Sequence, residues 1–249
     1  VRNPTTRRLF GAAALLGLAA LALPTDAADP IAGADKVLTS DAKFLEKGLE
    51  KSPPEKRAIP TLKAVAMMIA LNAQNQAGGK DAALKAGERD AALAVAAALA
   101  AKDYPAAKEA AAKISAPLPA KDAKPVDLAK MHKFDLAEVM STFRKARVGG
   151  LGLEDDVRAF SKGVKDPEAA ALAGGRIALI GHYTLALPPD INNPAQKAQW
   201  EKWSKEMTKL GEEAAAEGAK GATADNAKLA TTFKNLDINC NACHTAFRN

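Results

Sequence analysis

Only two of the 249 residues are cysteine and only three are histidine. That excludes a disulfide framework and leaves a zinc site without the further Cys or His ligands it needs. Aromatic residues make up 4% of the chain and β-branched residues are sparse, so a sheet-built core is not indicated. No serine–histidine–acid pattern, phosphate loop or second metal motif is present, and nothing points to a hydrolase. The charges do not segregate by sign: the formal net charge is +6 and the pI near 9.2, but basic and acidic residues alternate along helical faces, which argues against nucleic-acid binding. What is abundant is Ala, Leu, Lys and Glu, with apolar residues recurring every three or four positions. With 48% hydrophobic residues the chain can bury a core, and the expectation is an all-α protein built from antiparallel helical bundles.

The long hydrophobic run lies at the beginning. Residues 1–28, VRNPTTRRLFGAAALLGLAALALPTDAA, combine three arginines, an apolar stretch from Leu9 to Leu23, then Pro24 and small residues. This is the pattern of a secretory signal, and the stretch is too short for a membrane span. Val1 fits a GTG start, and cleavage near Ala27 or Ala28 leaves about 221 residues with a net charge of about +4, because three Arg and one Asp depart. Thr6-Arg7-Arg8-Leu9-Phe10 also resembles a twin-arginine signal. Export, to the periplasm in a bacterium, is expected, with no membrane span remaining after cleavage.

Pro and Gly divide the rest into helices expected near 36–50, 55–77, 81–102, 105–116, 127–147, 152–163, 167–187, 195–219 and 224–248. Residues 109–144 laid over 213–248 give about ten identities, Phe143-Arg144 with Phe247-Arg248 among them. Phe44 likewise resembles Phe160, and Ile69-Ala70-Leu71 resembles Ile177-Ala178-Leu179. The expected organisation is a first helical unit over 29–148 and a second over 149–249, as in an internal duplication. At the offset of 104, Leu136, Val139 and Met140 stand where Cys240, Cys243 and His244 stand. The first unit thus lacks the second unit's chemistry, and a structural or docking role is expected for it.

That chemistry is CNACH, residues 240–244. Two thiols three residues apart can add across the two vinyl groups of haem, and the adjacent imidazole reaches the iron as an axial ligand. A thioredoxin-like CxxC needs a strand before it and a helix after it, which this chain lacks. One covalent haem c is therefore expected, with attachment outside the cytoplasm on an unfolded chain, which favours the general secretory route. Leu229, Phe233, Leu236, Cys240, Cys243 and Phe247 recur at spacings of 4, 3, 4, 3 and 4, so the cysteines continue an apolar stripe that would place the haem inside a bundle. Trp200, Trp203, Met207, Leu210 and Ala214 form a neighbouring stripe. With Thr245 to Asn249 after the histidine, any sixth ligand is expected from an upstream helix. His182, on a face with Ala171, Gly175, Ala178 and Leu185, is the candidate distal ligand, followed by Met207 and His132.

The ending CNACHTAFR and the helix pair before it resemble the cytochrome c′ family, four-helix-bundle c-type cytochromes with haem near the C-terminus of the last helix. The resemblance is specific over residues 200–248. It implies haem attachment at Cys240 and Cys243, His244 as proximal ligand, and Arg248 close to the proximal side of the haem. It also implies a distal residue from the first helix of the bundle, usually apolar, and dimerisation through helix faces. The expected function is one-electron transfer with acidic redox partners rather than an enzymatic reaction. The alternative is a five-coordinate haem protein that binds nitric oxide or carbon monoxide.

Overall fold

The computed structural model describes residues 31–78, 80–128, 135–186, 191 and 193–247. Among them it contains α-helices and two 3-10 turns, with no strand. Helices α1 (Ala34–Gly48), α2 (Ile59–Gln76), α3 (Ala82–Ala100) and α4 (Tyr104–Ser115) pack as a first four-helix arrangement. A short α5 (Leu136–Ser141) lies on α2. The second half holds α6 (Leu153–Phe160), α7 (Pro167–Ala186), α8 (Pro194–Gly218) and α9 (Asn226–Phe247). The expectation of an all-α protein holds.

Helix starts follow side-chain chemistry. The Asn193 carboxamide accepts from the N–H groups of Ala195 and Gln196, with Pro194 opening α8. Asp225 does the same for Ala227 and Lys228 at α9. One helix over 127–147 is not what forms: residues 129–134 lie outside the described residues, Asp135 is extended, and after it come only the six-residue α5 and a 3-10 turn at Ala146–Val148. The Ser141 and Thr142 hydroxyls donate to the carbonyls of Glu138 and Val139. Hydroxyls bonded back to the preceding turn compete with helix continuation. The chain then reverses, with the Leu151 N–H donating to Thr142 O at 2.9 Å.

The two halves share one buried cluster, which runs without interruption from Ile31 to Leu236. At their junction α1 crosses α7, where Val37 fills the space beside Gly175. One turn away the buried Asp41 carboxylate accepts from the Arg176 guanidinium at 2.6 and 2.7 Å, and Arg176 also donates to Ser40 Oγ. Burial pushes the Asp41 carboxyl above the usual carboxylate range despite that arginine.

The α7–α8 hairpin is closed by small residues. Gly174, Ala178 and Gly181 of α7 face Thr208, Gly211 and Ala215 of α8 across backbone-to-backbone contacts. The α8–α9 hairpin is locked differently: the Glu217 carboxylate, 4% exposed, accepts from the Asp225 N–H at 3.0 Å and from Lys220 and Lys228, each at 2.9 Å. These bonds, the backbone one foremost, hold its pKa down from 4.5 to about 2. A depressed carboxylate contributes stability that is complete above its unfolded pKa and is lost as pH falls through the folded one. Glu217→Gln is thus expected to melt below wild type at pH 7, with the gap closing between about pH 4.5 and about pH 2. Thermal denaturation followed by circular dichroism over that range checks it; a gap independent of pH would mean that the charge is not what stabilises the loop.

Candidate functional site

Cys240, Cys243 and His244 lie in the last two turns of α9. At 100° per residue they share an arc of about 100°. The arc is the continuation of Leu229, Phe233 and Leu236, all fully buried, but here the stripe rises out of the core: both cysteines and Phe247 are half-buried and His244 is exposed. The apolar stripe read from the sequence is therefore present, and its chemical end faces the open end of the bundle rather than its centre.

Two elements flank that end. Helix α6 runs antiparallel to α9, with the Phe160 ring 4.9 Å from that of Phe233 and Glu154, one and a half turns earlier, close enough to Cys240 to act on its thiol. On the other side the Phe247 ring stands edge-on to Trp200 and Trp203, at 5.3 and 5.6 Å. Trp200 is buried and its indole N–H donates to Thr184 O at 3.0 Å. Asn239 donates to Trp203 O at 3.0 Å, which fixes the register of α9 on α8. Met207, one turn on from Trp203, is half-buried against the common core.

Both thiols are free. Burial, with smaller contributions from Cys243, Asp237 and Glu154, pushes the Cys240 thiol up to about 12, and burial raises Cys243 as well. They also sit at the C-terminal end of a 22-residue helix, where the helix dipole disfavours a thiolate. A dithiol oxidoreductase needs the opposite, a depressed thiol at a helix N-terminus. Two protonated, unpaired thiols three residues apart, with an exposed imidazole on the same arc, instead fit the donor set of a c-type haem.

His182 is not brought to this site. Its Nε2 lies 3.1 Å from Glu212 Oε1 of α8. Glu212 is nine residues from Trp203, two and a half helical turns, and so lies on the opposite side of α8 from the residue that touches α9. The small residues on the His182 face are occupied by helix packing: Ala171 against Gly218, Gly175 against Val37, Ala178 against Gly211. The reading of that face as room for a haem is corrected accordingly. His132 and Arg248 lie outside the described residues, as does the signal-like segment 1–28.

The fold and the donor set together define a helical-bundle protein with a haem-attachment pattern in its last helix. Residues 157–248 match the family model for cytochrome C′, and over this C-terminal segment the chain is similar to that family of c-type haem proteins. Residues before 157 lie outside the match. No curated protein and no solved structure matches the chain. No helix among the described residues is long and apolar enough to cross a membrane.

Proposed function

We propose that the chain is an exported cytochrome that carries one covalent haem c on Cys240 and Cys243, with His244 as the proximal iron ligand and Arg248 beside the proximal face, and that it transfers single electrons. The observation that carries the reading is the placement of both thiols and the imidazole on one arc of α9, at the end of an apolar stripe. When bound, the haem supplies a one-electron couple. The protein's part is to fix and shield it: Leu153, Val157 and Phe160 line α6 towards α9, and Trp200, Phe247 and Trp203 close the other flank. Apolar walls disfavour the more highly charged ferric form. The test is a potentiometric titration of the holoprotein; a reversible one-electron couple is expected, and its absence would remove electron transfer.

The place of His182 favours a second reading, an iron open on its distal side. Leu153, fully buried at the start of α6 beside Glu154, offers an apolar side chain and no ligating atom there. Carbon monoxide is expected to shift the Soret band of the reduced protein, and equally that of His182→Ala. A sharp low-spin spectrum that the gas leaves unchanged in wild type but shifts in Met207→Leu would make Met207 the sixth ligand instead.

The first unit, residues 29–148, has no counterpart of CNACH, and we read it as a structural and docking unit. Its boundary at 148 follows the chain rather than a gap in the core.

A further inference from the structure

We propose that Lys56, Arg57, Arg144, Lys145 and Arg147 form the docking surface for an acidic protein that exchanges electrons with this one; the proposal rests on the covalent-haem reading above. The five cations come from two segments far apart in sequence, the α1–α2 connection and the hook between α5 and α6. Gly149 joins them. Its φ is +85°, and a Cβ there would stand 2.9 Å from the Ala58 Cα, so the backbones touch one residue from Arg57 and two from Arg147. The Thr61–Ser141 hydroxyl bond at 2.9 Å and the Lys63–Glu138 ion pair brace the same junction.

All five side chains belong to exposed residues. Arg57 pairs with Glu55 at 3.2 Å on the surface; the other four make no ion pair with a described residue. Like charges gathered within about a Debye length, ~8 Å in physiological salt, repel one another unless a counter-charge arrives. The hook is also held in shape before any partner binds. The N–H groups of Gly150, Leu151, Gly152 and Glu154 donate to the carbonyls of Lys145, Thr142, Arg144 and Phe143, so little ordering cost remains on docking.

The hook runs directly into α6, whose Glu154 neighbours Cys240, so the cations stand at the cysteine end of the bundle. Glu154 and Asp155 border them, and the potential changes sign within a few residues, which orients an approaching partner's dipole. A protein fits better than a lipid surface, because the large hydrophobic residues exposed among the described residues, Leu84, Leu118 and Ile238, lie on elements other than the two that carry the charges.

The test uses the holoprotein, fluorescein-labelled poly-L-glutamate as the probe, and two triple variants of equal net charge. Arg144→Glu, Lys145→Glu, Arg147→Glu alters the hook; Lys108→Glu, Lys162→Glu, Lys165→Glu alters exposed lysines elsewhere. At low ionic strength the hook variant is expected to bind the probe at least about tenfold more weakly than wild type and the control less than about threefold, the difference shrinking in high salt. Saturating poly-L-glutamate is further expected to slow ferricyanide oxidation of the reduced wild type but not of the hook variant. Equal losses in both variants would reduce the effect to net charge and overturn the proposal. Hook-dependent binding to phosphatidylglycerol vesicles without binding to the polypeptide would also overturn it, in favour of a membrane surface. A holoprotein preparation without covalent haem would fail the earlier reading, while polypeptide binding would still report on the surface itself.

Discussion

Alanine at both Cys240 and Cys243 is expected to leave a folded chain that holds no haem after denaturation, a complete loss rather than a graded one. The chain has no other cysteine, so no thioether can form elsewhere. The fold survives because the burial along this stripe belongs to Leu229, Phe233 and Leu236, each 0% exposed, whereas truncating a half-buried thiol at the helix end costs about 1 kcal/mol or less. Haem staining of a denaturing gel reads the covalent bond, and circular dichroism reads the fold. Each single variant retains one thioether and is expected to stain, with its pyridine haemochrome band displaced to longer wavelength. Staining of the double variant equal to wild type would remove covalent attachment from the account.

The second large effect lies away from the cysteines. Gly211→Val is expected to destabilise the protein by about 3 kcal/mol or more, since every atom its side chain meets is backbone and no rotamer relieves the clash. A Cβ at 211 would stand 2.5 Å from Ala178 N, 2.8 Å from Gly174 O and 2.9 Å from Ala178 Cα. The α7–α8 pair must separate to admit it, and the Trp200–Thr184 and Thr184–Ser204 bonds that close the same hairpin separate with it. In thermal melts this corresponds to a fall of roughly 6–12 °C for a chain of this size. A melting temperature within about 2 °C of wild type would show that the helices are not held at this distance in solution.

Local order was legible in the sequence where one helix carries its own signals. The helices expected near 195–219 and 224–248 form as α8 and α9, and the 4-3-4-3-4 spacing gave both the face of α9 and the place of the cysteines on it. What was not legible depends on which neighbour claims a face. The small residues around His182 read equally well as room for a haem or as a seat for another helix, and only the tertiary structure, with Gly211, Gly218 and Val37 seated there, decides between them. The segment 127–147 has helical composition, yet the hydroxyls of Ser141 and Thr142 and the reversal onto Thr142 end its described helix at Ser141. Lys56 and Arg147 are ninety-one residues apart, and no periodicity relates them. The meeting of their segments rests on Gly149, at positive φ against the Ala58 backbone.

The junction of α1 with α7 also bears on the order in which the chain can close. Asp41 is 1% exposed, and its arginine lies 135 residues downstream; Lys36 likewise meets Glu168 across 132 residues. A chain emerging from its N-terminus therefore produces α1 long before the residue that neutralises its buried carboxylate, and an unpaired carboxylate resists burial until then. Contacts of such sequence separation form late and slowly. The core at this junction therefore closes only once α7, in the second half, has been made.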